Sequence, residues 1–66
     1  MLKVYYYSAV KKNLNLGVIR DCQFFKSISH IKGWLKQLED DDLVSITVYK
    51  IVDENGKLLD PKEVLA

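Results

Sequence analysis

The sequence predicts a small α+β domain of order ββαββ: a four-stranded, mostly antiparallel sheet, one helix on one face and a short C-terminal helical turn. Three observations carry this expectation. Leu2 to Val10 and Leu43 to Val52 are rich in Val, Ile and Tyr, the residues that suit a pleated, half-buried surface. Ile28, Ile31, Leu35 and Leu38 recur at helical spacing and form one apolar stripe. Asp53-Glu54-Asn55-Gly56-Lys57 and then Asp60-Pro61-Lys62-Glu63 place a tight turn and a helix start within a few residues of each other.

Leu2 to Val10 is the first strand. Lys11-Lys12-Asn13-Leu14-Asn15-Leu16-Gly17 is a loop, since Asn and Gly supply turn geometry and lysines resist sheet pairing. Val18 to Phe25 is the second strand and closes a hairpin. Its adjacent apolar pairs, Val18-Ile19 and Phe24-Phe25, mark a bulge or burial on both sides. The helix runs from Ser27 to Glu39, with Trp34 beside the stripe and Ser27 or Ser29 as its N-cap. Gly33 in its middle costs about 1 kcal/mol relative to Ala, and close helix–sheet packing is the ordinary reason for such a residue. Glu39-Asp40-Asp41-Asp42 ends it with charges that the helix dipole disfavours.

The third strand spans Leu43 to Val52, and Asn55-Gly56 turns the chain in a type I′ geometry into a short fourth strand, Lys57 to Leu59. Asp60 then caps a helical turn, with Pro61 at its first position and Glu63 closing a capping box. Residues 1–66 form a single domain without repeats or linkers.

A chain of 66 residues buries only roughly 60% of its unfolded surface and gains a few kcal/mol of stability at best, so a partner surface is a useful addition. Cys22 is the only cysteine, which excludes an internal disulfide. With no signal-peptide pattern and no apolar run of spanning length, the expected setting is a reduced cytoplasm. The net charge of +1 gives almost no long-range field. A hydrophobic fraction of 48% argues for a folded chain.

One helix covers one sheet face, and strand side chains alternate with period two. In the first strand Leu2, Val4, Tyr6 and Val10 oppose Lys3, Tyr5, Tyr7 and Ala9; in the third, Val44, Ile46, Val48 and Val52 oppose Leu43, Ser45, Thr47, Tyr49 and Ile51. The aliphatic sets suit the helix stripe, so the core is expected to hold Val4, Tyr6, Ile31, Leu35, Leu38, Ile46 and Val48. Leu35→Ala should then cost about 2–5 kcal/mol. Tyr5, Tyr7, Thr47 and Tyr49, with Lys3 at the border, fall on the open face, and the tyrosines become one cluster if the two strands are neighbours. An ordinary solvated face is the plain alternative, because tyrosine tolerates half-burial; an interface is the other, because ring and hydroxyl serve together there.

Nothing in the chain assembles catalytic chemistry, and no enzyme activity, cofactor or metal is expected. Cys22 and His30 cannot build a zinc site alone, and Cys22 lies in a strand with Val18 and Phe24, the position of an inert packing residue. Asp40-Asp41-Asp42 suits a solvated cluster. Asp53-x-Asn55-Gly56 departs from a calcium loop in the place of its glycine, and the turn explains it. Gly17, Gly33 and Gly56 are isolated, so no phosphate loop is present.

Two readings follow. The first is a non-enzymatic binding or regulatory protein working through Lys3, Tyr5, Tyr7, Thr47 and Tyr49, by homodimerisation or by docking to a larger protein, without membrane contact. On it, Tyr5→Ser/Tyr49→Ser should keep the fold and lose partner binding. The alternative is a weak single-stranded nucleic-acid binder using Lys3, Lys11, Lys12 and Arg20 on or beside the first hairpin with the exposed tyrosines; residues 1–33 carry these cations, Lys26 and Lys32 against Asp21 alone. The Gly–aromatic run of the RNA-binding sheet motif is not present. The order of elements resembles β-grasp and small α/β-plait-like domains in outline, and no residue motif transfers function from them. Composition gives only an analogy of style with accessory proteins of mobile elements.

Overall fold

The computed structural model describes residues 1–12 and 17–66. Strand β1 is Leu2–Val10, β2 Val18–Phe25, β3 Val44–Val52 and β4 Leu58–Leu59; helix α1 is Ile28–Glu39 and α2 Pro61–Val64. The small α+β arrangement is the expected one. The sheet is antiparallel throughout, in the order β2-β1-β3-β4. The loop expected at Lys11 to Gly17 falls partly on residues 13–16, outside the described residues.

Local chemistry sets the element ends. Ser27 is the N-cap of α1, and its hydroxyl accepts from the N–H of His30 at 3.4 Å. The His30 ring has a task there too, because its Nδ1 lies 2.7 Å from the same hydroxyl. At the other end Asp41 works as a turn residue: its carboxylate accepts from the N–H of Leu43 at 2.7 Å, which starts the chain toward β3. Asp60 caps α2 by accepting from the N–H of Lys62 at 2.9 Å, with Pro61 at the first position.

The turn before β4 differs from the type I′ geometry that Asn55-Gly56 suggests. Gly56 has φ 80°, but Asn55 keeps a negative φ, so the connection is a three-residue loop with glycine alone in the left-handed region. The cause is Asp53. Its carboxylate accepts from the N–H groups of Asn55 at 2.9 Å and Lys57 at 2.8 Å, while its own N–H donates to the Lys57 carbonyl at 3.0 Å. The N-terminal amine pairs with Glu54 in this loop.

Gly33 also differs from expectation. A methyl group built there would meet nothing within 4 Å, so helix–sheet packing does not require the glycine. Gly33→Ala should therefore raise stability by about 1 kcal/mol, read as a higher melting temperature by circular dichroism.

Val4, Tyr6, Ile31 and Ile51 form the buried centre. Leu35, Ile46 and Val48 pack against it while half-buried, and Leu38 is half-buried near the C-terminal end of α1. Tyr6 holds the core together by more than area. Its ring stands edge-on to Trp34 at 5.0 Å, Trp34 meets Phe25 at 5.0 Å, and the Tyr6 hydroxyl accepts from Gln23 Nε2 at 3.1 Å.

Ile51 is the main correction to the expected core. Strict alternation puts it on the open face and Val52 under the helix, but the β1–β3 ladder shifts register: Tyr5 pairs with Lys50 and Tyr6 with Val48, leaving Tyr49 as an extra residue. The bulge reverses the parity of β3 beyond it. Ile51 thus turns inward opposite Val4, and Val52 turns outward opposite Lys3.

The molecule is long, 37 × 20 × 18 Å, whereas a twelve-residue helix spans about 18 Å. Helix α1 is therefore about half as long as the molecule. Ile19, on the helix side of β2 but beyond its cover, stays exposed. β2 forms one full-length sheet edge, and Arg20 and Asp21 place charge there.

Candidate functional site

The face opposite α1 is built in rows, because residues directly paired across antiparallel strands share a side. β1 supplies its middle column. Lys3 has Phe24 of β2 on one side and Val52 of β3 on the other; Tyr5 has Cys22 and Lys50; Tyr7 has Arg20 and Thr47; Ala9 has Val18 and Ser45. The bulge inserts Tyr49 between the rows of Tyr5 and Tyr7.

The three tyrosines meet, as the adjacency of β1 and β3 requires. The Tyr7 and Tyr49 rings lie 4.5 Å apart with 31° between their planes, and Tyr5 and Tyr49 lie 6.3 Å apart. Tyr49 is 41% exposed and Tyr7 37%, so the cluster is a surface rather than a second core. Thr47 is exposed beside Tyr7.

Cations sit on these rings. Lys3 Nζ lies 5.0 Å from the Tyr5 centroid and 5.6 Å from that of Phe24, and Lys50 Nζ lies 5.0 Å from Tyr5. Lys3 is held above its ordinary pKa, first by hydrogen bonding to Tyr5 and then by charge attraction to it. Arg20 extends the series opposite Tyr7.

Among the described residues, no strand position on this face carries a carboxylate. Asp21, the one acidic residue among the described strand positions, pairs with the inward Tyr6 and so faces the helix side. The other acids lie at the end of α1 and beyond it, in the Asp53–Glu54 loop, or in and before α2. The strand positions of this face are thus aromatic and basic.

The residues of the two sequence-level patches are redistributed. Lys3, Tyr5, Tyr7, Thr47 and Tyr49 come together on the open face, and Arg20 joins them. Lys11 does not: its Nζ donates to the Asp41 carbonyl at 2.7 Å and its N–H to the Leu43 carbonyl at 2.9 Å, which ties it to the α1–β3 connection. Lys12 is exposed just past the end of β1. Lys50 and Phe24 were not among the candidates. The signal for Phe24 was its adjacency to Phe25, which places one ring on each side; Lys50 had none, because only the bulge brings it over Tyr5.

A shallow, largely apolar groove lined by Tyr7, Ala9, Val18, Ser45 and Thr47 continues the face toward the hairpin end. The thiol and the imidazole are on opposite sides of the sheet: Cys22 is in the row of Tyr5, and His30 is in the first turn of α1. No helix among the described residues is long and apolar enough to cross a membrane. No protein-family model matches the chain, and no curated protein and no solved structure matches it either.

Proposed function

We propose that this protein is a non-enzymatic binding protein of the reduced cytoplasm that works through its helix-free sheet face and docks there onto a larger anionic partner. The observation that carries this is the joining of Tyr5, Tyr7 and Tyr49 with Lys3, Lys50 and Arg20 on a face whose described strand positions carry no carboxylate. Aromatic rings give contact area at small entropic cost, and Arg and Tyr are the residues that concentrate binding energy. Self-pairing of this face is less favourable than binding an anionic partner, because a two-fold contact sets one basic patch against its copy.

The test compares the wild type with Tyr5→Ser/Tyr49→Ser and with a helix-side control, Lys32→Glu/Lys36→Glu, each immobilised and exposed to a cytoplasmic extract. Material retained by the wild type and the control but lost from the tyrosine variant supports the face as the working surface. Retention by the tyrosine variant and loss from the control would place binding on α1. Light scattering on the same samples separates self-association from capture of another molecule.

A further inference from the structure

Resting on that reading, we infer that the partner is single-stranded nucleic acid, which lies along the strand direction with its bases on the aromatic rings and its phosphates on the lysines and arginine. Each of three successive rows holds one cation and at least one ring: Lys3 with Phe24, Lys50 with Tyr5, and Arg20 with Tyr7, with Tyr49 filling the space between the last two. An acidic protein surface would satisfy the cations but does not set a flat group beside every anion. A nucleic-acid strand brings an anion and a π-face in every repeat, and so uses both.

Geometry selects a single strand over a duplex. Same-face residues along a strand are two positions apart, which at about 3.4 Å per residue sets the rows roughly 7 Å apart. That is about twice the 3.4 Å step of one strand in a duplex. Bases must therefore be separated to meet successive rows, and the open sheet gives them room, since Phe24 is 63% exposed and the groove beside Tyr7 is shallow and apolar. The net charge of +1 leaves attraction to the local patch alone, so binding is weak, at about 10⁻⁴–10⁻⁶ M at physiological salt, and not sequence-specific.

The experiment is fluorescence anisotropy of a labelled oligothymidine with the full chain, set against a duplex of equal length and against polyglutamate as competitor. Preference for the single strand is expected, with a log–log salt slope of about −2 from three phosphate contacts. Tyr5→Ser/Tyr49→Ser should weaken binding by about five-fold to a hundred-fold for each stacked ring lost. Tyr5→Phe/Tyr49→Phe, which keeps the rings, should restore most of it. Lys3→Gln/Lys50→Gln removes two cations from the Tyr5 ring and should flatten the salt slope toward about −0.7, so charge is tested even if the serine variant unfolds.

Equal binding of duplex and single strand, or full displacement by polyglutamate, overturns stacking. Absence of oligonucleotide binding, with capture still lost in the tyrosine variant, overturns the nucleic-acid partner and leaves the face as a protein-docking surface. Oligonucleotide binding lost only in Lys32→Glu/Lys36→Glu overturns both.

Discussion

Ile51→Ala is expected to cost about 2–5 kcal/mol and to leave the domain largely unfolded near room temperature. The side chain is 0% exposed and packs with Val4, Tyr6 and Ile31, while a chain of 66 residues has only a few kcal/mol to lose. Val52→Ala next to it should cost much less, because the bulge turns Val52 to the open face, where it is half-buried opposite Lys3. Thermal melts of the two variants by circular dichroism decide the matter. If Val52→Ala proves the more damaging, β3 runs in strict alternation and Lys50 does not lie over Tyr5.

The second large effect is on binding. Tyr5→Ser/Tyr49→Ser removes both aromatic pairs that hold the cluster, Tyr5–Tyr49 and Tyr7–Tyr49. Each such pair stabilises by about 0.5–1.5 kcal/mol, so a stability loss of about 1–3 kcal/mol accompanies the change. That is smaller than the cost expected at the upper range for Ile51→Ala, because the rings are partly exposed and leave no closed cavity. Adding an osmolyte keeps the variant folded for the binding measurement. Under those conditions partner binding should fall by more than ten-fold, and Tyr5→Phe/Tyr49→Phe should bind almost as the wild type. Wild-type affinity in the folded serine variant would remove the tyrosines from the function.

The elements of the fold were legible because several signals agreed at each place. The Ile28, Ile31, Leu35 and Leu38 stripe, the Ser27 cap and the Asp60-Pro61 start all lie where the chain uses them. Opposite parity of Tyr6 and its neighbours Tyr5 and Tyr7 was enough to divide buried from open rings on β1, since that strand is regular where it carries them. β3 was harder. Its bulge falls at Tyr49-Lys50, with no glycine or proline to mark it, and Ile51 and Val52 are both β-branched and apolar, so either fits the core by composition. The error at Ile51 and the omission of Lys50 have this one cause.

Other misses arise from backbone partners, which side-chain patterns do not reveal. Lys11 is drawn to a carbonyl of the α1–β3 connection rather than to the open face, although it belongs with Arg20 to the first hairpin in sequence. Asp53 likewise decides the geometry around Gly56 by accepting two N–H groups, and so overrides the two-residue turn that Asn-Gly favours. In each case a local hydrogen bond outweighed a statistical preference.

The most direct measurement is a residue-by-residue map of amide chemical shifts during titration with oligothymidine. Shifts should gather at Tyr5, Tyr7, Arg20, Phe24, Tyr49 and Lys50 and leave the exposed side of α1, from Ser29 to Gln37, unchanged. Shifts confined to α1, with the strand amides unmoved, would contradict a working surface on the helix-free face.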